Sequence, residues 1–485
     1  MGKYRNLLVN TGLFALNSVA TRLISFFLVP FYTAYLTAGE YGLTDMSVTV
    51  IGLVGPIATL CIAGAAMRFM VADKEHADRY VAVSTTVTLI SVVLVAILSP
   101  LLDLGVFGGL GEYKALFVVA YAMSVLVDLC GNLARGVGRV GIIPLCSVAS
   151  AAVTLVVALV AIGVCDMGVV GYYASAIAGP AVAPVLYATA GGLAGLAVRG
   201  TLSLLSDPNK TSCVRELCAP MLRYAFPLIP NSLFWWAQTS ISRLFITGMM
   251  GITASGMYAA AGKIPNLINT AYTIFQQAWQ LSSFQESESD ALTGFFETVF
   301  RLLSAGLMVL CAALSLASPW VASILLQGET YEAWPMIPII LIANLMNVFN
   351  TFYGTIYTTT MHTSYVMRTT VVGAVVCVAL TPALIPFLGT YGACIASAVS
   401  QAFVFFLRAR DSRKYIAFDA GWRCLVPTLA VLIAQSAITS LQVVNWQALS
   451  AACLIAVAVI QGKRVAPVAR KVLAMAKDRG LQCKG

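Results

Sequence analysis

Residues 7–36 read LLVNTGLFALNSVATRLISFFLVPFYTAYL, thirty residues carrying a single charge, Arg22. A membrane-spanning helix needs about 20 predominantly apolar residues, and this stretch exceeds that. It also exceeds the roughly 7–15 apolar residues of a signal peptide, so despite Lys3 and Arg5 ahead of it we read it as a retained first helix. An ionised side chain at the bilayer centre costs about 3 kcal/mol on insertion scales, so Arg22 needs an internal cavity or a partner. Ser18, Thr21 and Ser25 beside it mark a face turned from lipid. Pro30 removes a backbone donor and predicts a kink. Snorkelling to one surface is the alternative for Arg22, and its depth in the apolar run opposes it.

Comparable apolar runs recur along all 485 residues, which are 59% hydrophobic and only 10% charged. Soluble domains carry about 25% charged residues. Short alternating segments of the kind that build a barrel are absent, so the chain reads as an all-α polytopic membrane protein. Hydropathy gives fourteen spans, or twelve if the last two do not cross. Six lie between residues 8 and 198, six between 222 and 408, and a final pair covers 422–441 and 446–462. The polar segment 199–221 reads as a cytoplasmic linker between an N-lobe (1–198) and a C-lobe (222–411). An additional helix pair (412–462) and a basic, amphipathic cytoplasmic tail (463–485) follow. Asn17-Ser18 and Asn231-Ser232 open the first and seventh spans, and Gly42 and Gly256 follow each pair at the same spacing, a faint internal repeat. With both termini cytoplasmic, 25 of the 29 basic residues fall on the inner side and only Lys114 on the outer. The net charge of +9 is thereby explained by topology and is no sign of nucleic acid.

The outer loops are too short to hold a catalytic domain, and no Walker A sequence is present. Two histidines and twelve scattered cysteines offer neither a zinc set nor a catalytic triad. We therefore expect no enzyme activity, no cofactor and no metal.

Three cations lie deep in apolar stretches: Arg22, Arg243 and Lys263. Intramembrane acids are few, essentially Asp45 and Asp128, so the cations point to an anionic ligand in a positively lined cavity. Arg243 has a polar flank of Asn231, Gln238, Thr239 and Ser242, with Pro227 and Pro230 at the helix entrance. Trp235 and Trp236 read as an interfacial anchor or as a sugar-stacking platform. Lys263 is flanked by small residues and followed by Pro265, and an acid partner is the alternative to a cavity role. Arg68 fits substrate contact and positive-inside placement equally. Asp128 reads as a coupling-proton site or an ion pair with Arg22 or Arg68, and Asp45 as a residue at the start of the second span. Asn344, Asn347 and Asn350 form a stripe suited to interhelical hydrogen bonds.

Three segments carry a family resemblance: LFALNSVATRLISFFLVPFYTAYLTAGEYGLTDM (13–46), RYAFPLIPNSLFWWAQTSISRLFI (223–246) and GITASGMYAAAGKIPNLI (251–268). The chain resembles bacterial polysaccharide flippases, the Wzx-like, O-antigen-type translocases of the multidrug/oligosaccharidyl-lipid/polysaccharide exporter superfamily. The resemblance implies two six-helix lobes around a central cavity, alternating access, and an undecaprenyl-diphosphate-linked oligosaccharide moved from the cytoplasmic to the outer face of the inner membrane. It also implies membrane lipid and glycan-assembly proteins as partners, and coupling to a proton or sodium gradient, with Asp128 as the acid. Arg22, Arg243, Lys263, Arg68, Asn231 and Gln238 are the expected substrate contacts. Family members often carry an acid just before the arginine of the seventh span; here Ser242 stands there, so Arg243 lacks that local partner. A lipid II-type peptidoglycan flippase is the nearest rival, and a cation-coupled drug exporter ranks below both.

Overall fold

The computed structural model describes residues 24, 26–206, 210–285, 292–360, 362 and 364–482. Among the described residues the chain is helical nearly throughout, without a strand. Helix α1 covers Phe26–Tyr35. There follow α2 (Ala38–Ala58), α3 (Ile62–Ala72), α4 (Ala77–Leu98), α5 (Lys114–Gly136), α6 (Ile142–Ala158), α7 (Gly168–Thr189), α8 (Leu193–Ser206) and α9 (Lys210–Ala225). Next are α10 (Leu228–Met250), α11 (Ile252–Lys263), α12 (Asn266–Gln285), α13 (Leu292–Leu325), α14 (Ile337–Thr359), α15 (Ser364–Leu388), α16 (Thr390–Asp411), α17 (Trp422–Ser440) and α18 (Trp446–Gln482). Among the described residues, 11 helices are long and apolar enough to cross a membrane, which makes this a multi-pass α-helical membrane protein. Three of the fourteen expected spans are not among them. The first lies largely outside the described residues. The seventh exists as α10, whose polar residues dilute its apolar character, and the eighth is divided between the 12-residue α11 and α12.

The chain packs as two compact units, Met1–Gly256 and Met257–Gly485. In the first, the polar stretch read as a linker is helical where described. Helix α8 lies so close to α4 that a Cβ on Gly200 would run into the Asp78 carbonyl, and Arg79 Nε donates to Ser203 Oγ at 3.0 Å. Met221 and Ala225 of α9 are fully buried with Ala66 and Met70 of α3. Amphipathic helices shed their apolar faces onto neighbours, so a polar sequence here builds helices that pack.

In the second unit α14 is the central strut, with Leu341, Leu345, Phe349, Phe352 and Ile356 all fully buried. Phe300 sets its ring 5.5 Å from Phe349 and 5.2 Å from Phe352. The asparagine stripe bonds between helices: Asn347 Nδ2 donates to Asn269 Oδ1 at 3.3 Å, and Asn350 Nδ2 to Gln401 Oε1 at 2.8 Å.

The last two helices are integral to this unit. Gln435 of α17 is fully buried and donates to the Ala312 carbonyl of α13 and to Ser450 Oγ of α18, each at 2.9 Å. Gln461 Nε2 of α18 donates to Thr428 Oγ1 of α17 at 2.7 Å. The basic tail is helical to Gln482 and continuous with α18, which runs for 37 residues.

Two arginines counted among the inner-loop cations prove to be buried. Arg408 is 6% exposed and Arg464 8%. Arg408 donates to Thr369 Oγ1 at 2.9 Å, to the Asn350 carbonyl at 2.8 Å and to Thr370 Oγ1 at 3.2 Å. Arg464 donates to Ser304 Oγ at 3.1 Å and the Ala420 carbonyl at 2.6 Å. Both charges are met by neutral oxygens from several helices, so these cations tie the unit together.

Replacing Gln435 by Leu should lower stability by about 1–2 kcal/mol, because a buried amide bonding two helices is lost. Thermal unfolding of the detergent-solubilised protein measures this; an unchanged midpoint would mean that α17 and α18 pack independently of α13.

Candidate functional site

Helix α2 is set by a capping box: Glu40 N–H donates to Thr37 Oγ1 at 3.2 Å, and Thr37 N–H to Glu40 Oε2 at 2.9 Å. That start point places Asp45 two turns inside the helix and buried, not at its end as expected. Gly42 and Gly52 open α2 to close approach. A Cβ on Gly42 would strike the Ile252 carbonyl, and one on Gly256 the Ala38 carbonyl, so the two glycines of the sequence repeat meet backbone to backbone. A Cβ on Gly52 would lie 3.3 Å from the Trp236 ring.

The helices that close on α2 here are α10 and the first turns of α11. Trp236 of α10 is 6% exposed and its Nε1 donates to the Thr49 carbonyl at 2.9 Å. It therefore locks helix to helix, and is neither an interfacial anchor nor a sugar platform. Trp235, one residue away, is 63% exposed. Two turns on from Trp236, Arg243 Nε lies 2.7 Å from Asp45 Oδ2. Arg243 has no acid at position 242, and its partner comes instead from α2, far away in sequence. Gln238 and Ser242 are buried on the same helix, and both are engaged.

Beyond the seam, the second span is broken. Helix α2 ends at Ala58 and α3 begins at Ile62, with Leu60 at φ 53° and Cys61 at φ 52° between them. Left-handed backbone in a non-glycine residue costs about 1–2 kcal/mol, so two in succession store strain. Pro56 contributes, since it lacks the N–H that would bond four residues back. Inside a membrane, unwound backbone is tolerated where it lines a cavity. One of about 530 Å³ opens there, walled by Gly55, Pro56, Thr59, Cys61 and Gly64 from the broken span. Ser124, Asp128 and Asn132 of α5 face it, as do Asn231 and Ser232 of α10.

Asp128 is held along its own helix. Its Oδ1 accepts from Asn132 Nδ2 at 3.1 Å, and Asn132 Oδ1 in turn accepts from Arg135 Nη1 at 3.3 Å, a polar line along one face of α5. Of its two expected ion-pair partners, Arg68 is exposed on α3, one helical turn past Gly64 of the cavity wall, and Arg22 lies outside the described residues. Helices α3 and α5 touch where a Cβ on Gly136 would meet Met67 at 3.3 Å, so Arg68 and Arg135 flank one crossing. A second cavity of about 370 Å³ has a hydroxyl wall of Ser147, Ser150 and Thr154 from α6 and Tyr187 from α7.

Of the expected site residues, Asn231 and Asp128 share the larger cavity, and Arg243 and Gln238 belong to the adjoining helix α10. Lys263 is half-buried at the end of α11, just where Pro265 stops the helix, and it is engaged. A cation there also complements the helix dipole. The break at 59–61 and the role of Asp45 escape sequence reading. The break carries no glycine, and only Pro56 hints at it.

Replacing Leu60 by Gly should hold or raise the unfolding midpoint, since glycine adopts the left-handed backbone without cost, whereas Leu60→Ile should destabilise by about 1–2 kcal/mol. Thermal unfolding of the two variants side by side measures the strain held at the break.

The sequence matches the polysaccharide biosynthesis protein family over residues 7–279, more than half the chain, and the protein belongs to that family. No curated protein matches the chain. Among solved structures, the lipid II flippase MurJ in an inward closed conformation aligns with a TM-score of 0.66 at 11% identity, covering 94% of this chain and 99% of that one. An inward-facing multidrug resistance MATE family transporter of the MOP superfamily aligns with a TM-score of 0.64 at 15% identity, covering 82% and 94%. A point mutant of the Vibrio cholerae MATE transporter VcmN aligns at 0.57 and 14%, covering 84% and 96%. At such identities the likeness is one of fold.

Proposed function

We propose that this member of the polysaccharide biosynthesis family is a flippase that carries undecaprenyl-diphosphate-linked oligosaccharide from the cytoplasmic to the outer face of the bacterial inner membrane by alternating access. The observation that carries the reading is a polar cavity inside an apolar helical chain, bounded by a broken span and adjoining a helix that holds a cation at mid-length. A diphosphate crossing hydrocarbon unaided faces a prohibitive desolvation cost, and a path of this kind removes it. Arg243 is the anion contact, Arg22 and Lys263 are the further cations of the path, and Arg68 stands at the inner mouth. The amides and hydroxyls of Asn231, Ser232, Ser124 and Thr59 suit glycan hydroxyls, while the lipid tail stays in the bilayer. Group transfer has no part in this reading.

A lipid II-type precursor is the second reading. It is favoured by the alignment with MurJ, which takes in 94% of this chain against 82% for the inward-facing MATE transporter. The third reading, a drug exporter, draws on one feature: among the described residues lining the larger cavity, Asp128 is the charged one. We assign Asp128 to a coupling cation instead, because Asn132 and Arg135 hold its carboxylate to the wall of α5. The basic-residue bias supports cytoplasmic termini.

Proteoliposomes carrying a fluorescent undecaprenyl-diphosphate oligosaccharide test the assignment. Wild type should move the probe to the opposite leaflet, and Arg243→Ala, Arg22→Ala and Lys263→Ala should each slow it at least about tenfold at normal protein levels. Unimpaired transport by all three would remove the cationic path. In the same vesicles Asp128→Asn should abolish the acceleration given by an imposed proton or sodium gradient while leaving probe binding intact; an undiminished response would exclude it as the coupling site.

A further inference from the structure

We propose that the seam along α2 is a latch, opened when an anionic headgroup takes Arg243 from Asp45, so that Asp45 sets how much negative charge a substrate must bring. The inference rests on the flippase reading and adds to it a role for an acid that touches no substrate.

Among the described residues, contacts of three kinds lie along the seam. At one end Gly42 of α2 and Gly256 of α11 meet through their backbones, with no side chain able to give way. At the other, the Trp236 indole of α10 donates to the Thr49 carbonyl at 2.9 Å. Neither contact has a chemistry that a phosphate could replace. Between them lies the ion pair of Arg243 and Asp45, which does. Part of the guanidinium remains available: Asp45 is engaged at Nε, while Nη1 has only a long 3.5 Å contact to Ser240 Oγ. The Arg243 side chain is 26% exposed where that of Asp45 is 9%, so the cation is the more open member of the pair.

The exchange has a charge threshold. A carboxylate tethered in place and already desolvated competes at high effective concentration with any ligand of one negative charge. A diphosphate brings more charge and a bidentate match to the guanidinium fork, and so displaces it. A rigid glycine contact then parts as a unit instead of yielding gradually, because packed interfaces of this type are bistable. Ligand binding and seam opening are thereby one equilibrium, and the ligand shifts it by its differential affinity for the open state.

Thr49 reports the opening. It shares the face of α2 that carries Gly42, Asp45 and Gly52, is 5% exposed, and its carbonyl accepts from the Trp236 indole. The full-length Thr49→Cys protein in nanodiscs is labelled with a membrane-impermeant maleimide, and the modified peptide is quantified by mass spectrometry. Undecaprenyl diphosphate linked to one sugar should speed labelling about tenfold, and the undecaprenyl monophosphate diester of the same sugar, which carries a single charge, less than about twofold. Adding Asp45→Asn should raise labelling without ligand and bring the monophosphate response up to that of the diphosphate. Asp45→Glu should restore the discrimination. Trp236→Phe, which loosens the seam but leaves both charges, should raise basal labelling with the discrimination intact. Equal discrimination in wild type and Asp45→Asn overturns the latch, and if wild type still transports the lipid-linked probe the flippase reading stands. A folded wild type that binds neither lipid overturns both.

Discussion

A guanidinium held in a membrane needs its charge answered, and the 2.7 Å contact of Arg243 with Asp45 is the answer on which the rest of the site depends. It fixes α10 against α2, and the glycines of α2 let that approach happen. Once the helices touch, Trp236 falls into the groove over Gly52 and finds the Thr49 carbonyl. The polar flank of α10 is then turned inward, Gln238 and Ser242 buried and Asn231 and Ser232 on the cavity. A helix too polar for lipid is tolerable only where lipid does not reach it.

The break in the second span is the complementary device. Two left-handed residues, Leu60 and Cys61, turn a continuous apolar run into two helices with exposed backbone between them. Such strain persists only where surrounding packing over-determines it, and the packing is present: Ile62, Ala65, Ala66 and Met70 of α3 are fully buried against α5 and α9. The cavity thus has one wall of strained backbone and another of hydrogen-bonded side chains, with Asn132 linking Asp128 to Arg135.

How far sequence reading reaches depends on the range of the physics involved. Apolar length is local, so the helical class and most spans are legible. Cations in apolar runs are local anomalies, so Arg243 and Lys263 stand out. The partner of Arg243 is not local. Nothing near Asp45 signals that it will meet residue 243, and its position shortly after Thr37 suggests a helix end until the capping box fixes where the helix starts. The segment 199–221 misleads in the opposite direction, since its polarity covers one face of α8 and α9 and their apolar faces are spent on α4 and α3. Arg408 and Arg464 read as loop charges because hydropathy cannot see oxygens arriving from other helices.

Those two arginines have a consequence in time. During insertion an arginine beside a span acts as a free charge, retained on the inner side. In the finished protein Arg408 and Arg464 are withdrawn from water and held by acceptors from α13, α14, α15 and the segment leading into α17. Arg408 and Arg464 cannot be fastened in this way until the helices that carry their acceptors are in place. Biogenesis of the second unit accordingly has a fixed order, threading first and sealing afterwards. A chain stopped before α18 would leave Ser304 Oγ and the Ala420 carbonyl without the guanidinium that joins them.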